Sequence, residues 1–363
     1  MTTLLPMPRI RSAAPVSEAV AVRSLGDAYG RVATDLRVSL TDRCNLRCQY
    51  CMPAEGLDWL PRDQVLTNEE MIRLIRIGVT RLGITTVRLT GGEPLLRQDL
   101  EWLVAAIADL DPTPTIALTT NGIGLAKRAS SLAAAGLKRI NISLDTLDPE
   151  TFKQITRRPR LADVLAGVEA SVAAGLQPVK INTVLLRGVN DHEAYPLLDW
   201  AMRTGVQLRF IEQMPLDAQH SWKRSEMITA DEIRDRLSEH VELVEDDGDR
   251  DRRGSAPAEL FRVKGPEHLA GVRGVDHTVG IIASVSKPFC GACDRVRLTA
   301  DGQLRNCLFA RSESDLRAPL RAGASDEELA DQWVRAVATK RPGHGIDDPS
   351  FLQPDRPMSA IGG

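Results

Sequence analysis

No stretch of this sequence reaches the roughly 18 uninterrupted apolar residues that a membrane-crossing helix requires, so a membrane-embedded protein is not expected. A basic excess is also missing. Lys and Arg total 46 against 49 Asp and Glu, for a net charge of -3. That balance disfavours nucleic acid as a partner but leaves room for local basic patches that hold a phosphorylated small molecule. The first 24 residues carry Pro6, Pro8 and Pro15 among several charges and lack the apolar core of a secretory signal. A mobile extension over residues 1–30 and a cytoplasmic location are the expectations. Cysteine is scarce: Cys44, Cys48, Cys51, Cys290, Cys293 and Cys307 form two groups of three. Reducing pools in the cytosol oppose disulfides, and an odd number in each group suits metal ligation better than pairing.

Short, mostly apolar runs alternate with helix-like stretches from residue 36 to about 214. The predicted strands are Leu36–Leu40, Val87–Thr90, Ile116–Thr119, Arg139–Leu144, Lys180–Leu186 and Gln207–Glu212. They read as parallel strands buried on both faces. Thr67 and Glu70 form a capping box, Met71, Leu74, Ile75, Val79 and Leu82 keep helical spacing, and Gly83 supplies a stop. Further helices are predicted over Leu161 to Ala174 and from about Asp191 to Thr204, and Thr229 with Glu232 caps another. Strand–helix repetition means a parallel α/β architecture. Six units are too few for a closed barrel of eight, so an open partial barrel and a doubly wound sheet both fit. Glu93, Asn121 and Asp145 fall at strand ends, where barrels carry their chemistry. The stretch from Glu245 to Ala258 is charged and reads as a solvated loop. The predicted division is residues 31–214 and a smaller region over 215–363.

Cys44, Cys48 and Cys51 follow C-x3-C-x2-C directly after the first strand. Three thiolates hold three irons of a four-iron cluster and leave the fourth open, as a cofactor-binding metal requires. Zinc would want a fourth ligand, and no His or further Cys lies within twenty residues. Gly91-Gly92-Glu93-Pro94 ends the second strand, and glycine lets backbone approach a ligand closely. Cys290, Cys293 and Cys307 follow C-x2-C-x13-C, and the one fourth ligand nearby for a zinc site, His277, lies outside the usual close spacing. Between them, Arg295 and Arg297 flank Val296. Residues two apart on an extended segment point to one side, and two guanidiniums there suit a polyphosphate, although paired surface arginines are common.

The first triplet with Tyr50, followed by the GGEP turn, resembles the radical S-adenosylmethionine superfamily. From about Asp35 onward the pattern resembles the MoaA family of GTP 3',8-cyclases, through Thr41 to Pro53, Arg88 to Pro94, Thr119 to Gly122, Asn141 to Asp145, Phe210 to Pro215, the second triplet and the terminal Gly362-Gly363. The resemblance implies an incomplete TIM-type (β/α)6 barrel, with the smaller C-terminal region closing its open side and carrying a second iron–sulfur cluster. It implies two [4Fe-4S] clusters on the six cysteines and S-adenosylmethionine on Tyr50, Gly92, Ser143 and Met214. It implies GTP on Arg37, Arg88, Thr119, Lys180, Arg209, Arg295, Val296 and Arg297. Two departures stand out: the N-terminal extension matches nothing, and Thr86 occupies a position that is basic in some relatives.

The implied reaction removes hydrogen from C3' of GTP with a 5'-deoxyadenosyl radical. C3' then joins to C8, and reduction gives 3',8-cyclo-7,8-dihydro-GTP, the first step of molybdenum cofactor synthesis. Implied partners are a MoaC-family enzyme downstream and a reduced flavodoxin- or ferredoxin-type donor, with a homodimer left open. The rivals are a radical enzyme that modifies peptides and a non-catalytic iron–sulfur or zinc regulator. The tail from Pro354 to Gly363 reads by composition as a frayed terminus, whereas the resemblance implies that Gly362 and Gly363 reach into the active-site cavity and act in catalysis.

Overall fold

The structure, a computed structural model, describes residues 22–245, 254–264 and 278–362. Most of the charged stretch, at 246–253, lies outside these residues, as do His277 and Gly363.

The six expected strands are present: β1 Asp35–Ser39, β2 Thr86–Thr90, β3 Thr115–Thr120, β4 Arg139–Ser143, β5 Val179–Thr183 and β6 Gln207–Ile211. They pair in parallel and in sequence order. Between them run α1 Asn68–Leu82, α2 Leu100–Ala108, α3 Ala129–Ala134, α4 Pro149–Thr156, α5 Leu161–Ala173 and α6 Ala194–Thr204. Helix α1 starts where expected because the Thr67 hydroxyl accepts from the Glu70 amide at 3.2 Å while the Glu70 carboxylate accepts from the Thr67 amide at 2.8 Å. It stops at Gly83, whose φ of 75° is left-handed.

The region after residue 214 joins the same sheet rather than packing as a separate body. Helix α7 Ala230–Ser238 is followed by β7 Glu242–Glu245, β8 Glu259–Lys264 and β9 Thr278–Ile282. Strand β9 pairs in parallel with β6. Strand β10 Arg295–Leu298 pairs in parallel with β1, and β11 Gln303–Arg305 and β12 Ser314–Asp315 extend that edge. The resulting order is β12-β11-β10-β1-β2-β3-β4-β5-β6-β9-β8-β7. Helices α8 Arg317–Arg321, α9 Asp326–Ala338 and α10 Met358–Ile361 complete the chain.

The strands are not apolar on both faces. Leu36, Val38, Val87, Leu89, Ile116, Leu118, Ile140, Ile142, Val179, Ile181, Leu208, Phe210, Val296 and Leu298 are buried in one core cluster with Met71, Leu74, Leu103, Val104, Val168, Leu197 and Trp333 from the helices. Alternate positions point the other way and carry Arg, Lys, Asn, Thr and Ser. The period is therefore two, with helices on one side and a polar face on the other.

The N-terminal expectation is corrected from residue 22. Leu25 is fully buried, and Arg23 bonds to Glu327 at 2.8 Å and Asp331 at 2.6 Å on α9. One apolar side chain in the core and one guanidinium on two carboxylates are enough to pin this segment.

Glu212, directly after β6, joins the two parts of the chain. Its buried carboxylate accepts from the Ala230, Val285 and Ser286 amides, each at 2.8 Å, and from the Ser286 hydroxyl. Replacing it by Ala strands the two buried N–H groups of Ala230 and Val285, each costing about 1–3 kcal/mol, and frees the half-buried amide of Ser286. Glu212→Ala is therefore expected to lower stability by roughly 3 kcal/mol or more, read as a fall in melting temperature, with Glu212→Gln intermediate. An unchanged melting temperature for Glu212→Ala would contradict this role.

Candidate active site

The polar face of the sheet is a belt of cations. Arg297 of β10, Arg37 of β1 and Arg88 of β2 are register partners, and the row continues through Ala117 to Arg139 of β4. Arg295 pairs with Asp35 two residues back. Further along, Thr119, Asn141 and Lys180 form a second row, and Ser143, Asn182 and Arg209 a third. The sequence reading put Arg37, Arg88, Thr119, Ser143, Lys180, Arg209, Arg295 and Arg297 at the site and gave no role to Arg139, Asn141 or Asn182. The signal for Arg139 was present: it occupies the alternate position of β4 as Arg37 and Arg88 do on their strands.

Arg209 and Arg297 are buried, the other cations of the belt are half-buried, and all are under-compensated. Asp35 lies 4.0 Å from Arg37 and 3.9 Å from Arg88, and Asp294 lies 4.0 Å from Arg295. No carboxylate among the described residues pairs with Arg209, Arg297 or Lys180; Arg209 donates to Asn182 at 2.6 Å. The Nε groups of Arg37, Arg88, Arg209 and Arg295 are buried without a hydrogen-bond partner. Burial, with Arg209, Arg88 and Arg139 nearby, lowers Lys180 to about 8. Burial lowers Arg37 to about 10 despite Asp35, and burial with Arg88 and Arg37 lowers Arg209 to about 9. Arg297 falls well below its ordinary value, through burial first and Arg37 and Arg295 next. Buried charge is tolerated when an opposite charge meets it, so this face is built for a polyanion.

Val296 sits between the two arginines on β10. Its side chain lies in the apolar core, on the opposite side of β10 from Arg295 and Arg297. A substrate on the polar face meets its backbone, not its side chain. Thr119 accepts from Asn141 at 3.4 Å.

The first cysteine loop follows β1 and is held by backbone bonds from two directions. The Gly92 amide donates to the Thr41 carbonyl at 2.7 Å and the Glu93 amide to the Arg43 carbonyl at 2.8 Å. From α4, the Thr156 and Ile155 carbonyls accept from the Arg47 and Gln49 amides, each at 3.0 Å. The Arg157 guanidinium closes the loop on the Arg47 carbonyl at 2.7 Å and the Met52 carbonyl at 3.0 Å. A Cβ on Gly92 would stand 2.2 Å from the Arg43 carbonyl oxygen. The glycine is therefore needed for the cysteine loop to lie against the end of β2, a reason the sequence reading did not supply.

Buried carboxylates brace the rim. Glu93 accepts from the Thr120 hydroxyl at 2.6 Å and the Asn121 amide at 2.7 Å, and burial raises it to about 7. Asp145 accepts from the Tyr50 hydroxyl at 2.6 Å and the Val184 amide at 2.9 Å, and burial raises it to about 6. Tyr50 is thereby fixed beside the cysteine loop. Met214 packs against the small cluster of Met227, Val285 and Ile346.

Each triplet fits a cluster by the chemistry of its donors. Burial, then Glu93, raises Cys44 to about 11, and burial, then Cys44, raises Cys51 to about 12. Cys48 is raised well above its ordinary value by burial, Asp145 and the other two thiols. Thiols that oppose one another's ionisation need cations among them, and ligation deprotonates them outright. In the second triplet burial raises Cys290, whereas on Cys293 the pull of Arg295 and Lys340 outweighs burial and lowers it. Among the described residues no three His, Cys, Asp or Glu side chains converge on one metal ion. Thiolates around a four-iron cube stand at its corners, wider apart than around zinc, so three sulfurs per loop suit the cluster.

Up to Gly362 the tail is packed, not frayed. Arg356 bonds to Asp301 at 3.0 and 2.7 Å, and the Met358 amide to the Leu216 carbonyl at 3.1 Å. The Gly362 carbonyl accepts from Arg297. At φ 74°, a Cβ on Gly362 would stand 2.6 Å from the Ser39 hydroxyl, so only glycine fits between β1, β2 and the belt.

A cysteine loop after the first parallel strand, clamped by a GGEP turn, above a polar sheet face defines a radical S-adenosylmethionine enzyme. The Radical SAM superfamily model matches residues 38–201 and the Molybdenum Cofactor Synthesis C model residues 206–346. The chain is 60% identical to a "GTP 3',8-cyclase" of Mycolicibacterium smegmatis over 96% of this chain and 95% of that one. It is 59% identical to one of Streptomyces coelicolor, over 93% and 96%. The chain belongs to the MoaA family of GTP 3',8-cyclases, radical S-adenosylmethionine enzymes that carry iron–sulfur clusters and open molybdenum cofactor synthesis. Among solved structures, Streptococcus suis SuiB bound to precursor peptide SuiA shares the fold, with a TM-score of 0.54 and 16% identity over 87% of this chain and 67% of that one.

Gly92→Ala is expected to displace the first cysteine loop and lose its cluster, roughly half of the protein's iron if each triplet holds four, with circular dichroism little changed. Full iron content in that variant would contradict the packing argument.

Proposed function

We propose that the two cysteine triplets, the cationic sheet face and the tail form one active site in which this chain joins C3' of GTP to C8. The observation that carries the reading is the convergence of Arg37, Arg88, Lys180, Arg209, Arg295 and Arg297 on one face with few carboxylates to meet them. A triphosphate supplies the missing charge through forked and point contacts. A peptide substrate would leave the belt uncompensated.

Cys44, Cys48 and Cys51 would hold one cluster, and Cys290, Cys293 and Cys307 the second. When bound, the first cluster and S-adenosylmethionine supply the 5'-deoxyadenosyl radical for hydrogen abstraction. Tyr50, fixed by Asp145, with Gly92, Ser143 and Met214, would hold that cofactor at the strand ends. The belt would bind the triphosphate and so place the ribose, trading entropy for position. Thr119 would take a polar group of the nucleotide, and the backbone of Val296 would line the same wall. Thr86, beside Asp35 in register, would leave the phosphates to Arg37 and Lys180. Gly362 and Gly363 would fill the cavity beside the reacting carbons and keep water from them. One electron and one proton complete the dihydro product.

The same reading takes residues 31–214 as an incomplete barrel of six units and 215–363 as the part that closes its open side. Strands β9 and β10 on opposite edges of the six support this. It implies a MoaC-family enzyme to consume the product and a reduced flavodoxin- or ferredoxin-type donor, with a homodimer compatible. No helix among the described residues is long and apolar enough to cross a membrane, and six free cysteines favour the reducing cytoplasm.

Anaerobic turnover with GTP and S-adenosylmethionine tests the assignment. The chain should form 5'-deoxyadenosine and cyclised nucleotide together. Cys48→Ser replaces a soft thiolate by an alcohol that ligates iron poorly. It should lose 5'-deoxyadenosine formation while keeping the second cluster's iron. Undiminished cofactor cleavage in Cys48→Ser would refute the role of the first triplet.

A further inference from the structure

Lys340 follows α9 and is only 5% exposed. Its ammonium donates to the Cys293 carbonyl at 3.0 Å, to the Arg295 carbonyl at 2.9 Å and to the Cys293 sulfur at 3.4 Å. An ammonium has three donors and no acceptor, so all of its capacity is committed here. It pairs with no carboxylate among the described residues. A buried ammonium is costly unless an anion stands beside it, and among its three partners only the Cys293 sulfur can be one.

The position of Lys340 is itself held. Arg31, tied to Asp27 at 2.5 Å, donates to the Arg341 carbonyl at 2.6 Å, the Pro342 carbonyl at 2.9 Å and the Cys290 carbonyl at 2.8 Å. One cation therefore grips Cys290 and the residues just after Lys340, while Lys340 grips Cys293 and Arg295. Two segments far apart in the chain, at Arg31 and at Lys340, thus meet on the two cysteines of C-x2-C.

We propose that Lys340 is a positioning residue for the second cluster: it stabilises the Cys293 thiolate as a ligand, raises the cluster's reduction potential, and fixes Arg295 so that cluster and triphosphate site move as a unit. A cationic donor on a ligand sulfur favours the reduced cluster, which carries one more negative charge. The inference rests on the reading that Cys290, Cys293 and Cys307 hold a cluster.

The test is a redox titration followed by electron paramagnetic resonance on anaerobically prepared enzyme. A full-length chain with Cys44→Ser, Cys48→Ser and Cys51→Ser identifies the second cluster's signal. Lys340→Met is unbranched and one atom shorter, and it removes the charge. It should leave the second cluster at least tenfold harder to reduce at a given potential, which is about 59 mV for one electron. Lys340→Arg should restore most of that shift. Lys340→Met with full iron and an unchanged potential would overturn the proposal. If Lys340→Met loses the iron, Lys340→Arg decides. Iron regained supports a role of charge, and iron equally lost makes Lys340 a packing residue and overturns it. A parent triple-serine chain that holds no iron at all would overturn the cluster reading, and the role of Lys340 with it.

Discussion

Like charges gathered on a buried surface resist folding, and this protein gathers them on one face of its central sheet. Arg37, Arg88 and Arg297 are register neighbours, and Arg209 and Arg297 are less than a tenth exposed. Burial first, and the neighbouring arginines next, lower Lys180 and Arg209 from their ordinary values, and burial lowers Arg37 despite Asp35. The helices and the apolar face must supply the stability that this face withholds. Each buried Leu, Ile or Val there contributes about 1.5–3 kcal/mol, and the core cluster joins all six parallel strands to the helices behind them. The belt is thus preorganised at the expense of the fold, and an anionic ligand relieves it.

The rest of the architecture keeps that face in register. Glu93, Asp145 and Glu212 sit at or just beyond the ends of β2, β4 and β6, each accepting backbone amides from a neighbouring segment. The Glu93 carboxylate pins the end of β3 while its amide holds the cysteine loop, Asp145 fixes Tyr50, and Glu212 ties α7 and the segment after β9 to the sheet. The C-terminal part contributes Arg295 and Arg297 by pairing β10 with β1, and it returns as the tail that sets Gly362 against Arg297. Site and fold therefore share the same bonds, so loss of Glu212 or Gly92 would be felt in both.

Much of this was legible in the sequence. The six parallel strands and the capped helix α1 depend on local signals: a short apolar run, Thr67 with Glu70, a glycine stop. The cysteine spacing carried its chemistry in the residues themselves. What stayed hidden depends on partners far apart in the chain. Strands β10 and β11 are four and three residues long, and nothing local tells that Arg297 will lie beside Arg37. The polar alternation was present in Asp35–Ser39 and Arg139–Ser143, but reading those strands as buried on both faces hid Arg139. Leu25 and Lys340 carry no motif; their burial arises from packing against segments far away in the chain.

The central claim is that the sheet's cationic face exists to bind the triphosphate. The most direct measurement is the affinity of the cluster-loaded enzyme for GTP, GDP, GMP and guanosine, at one ionic strength and without S-adenosylmethionine. Each phosphate removed takes away a charge-assisted hydrogen bond, at about 1.5–3 kcal/mol, or roughly ten- to a hundredfold in affinity. The account predicts binding that weakens by at least about tenfold from GTP to GDP and again to GMP. Guanosine binding as tightly as GTP would contradict it.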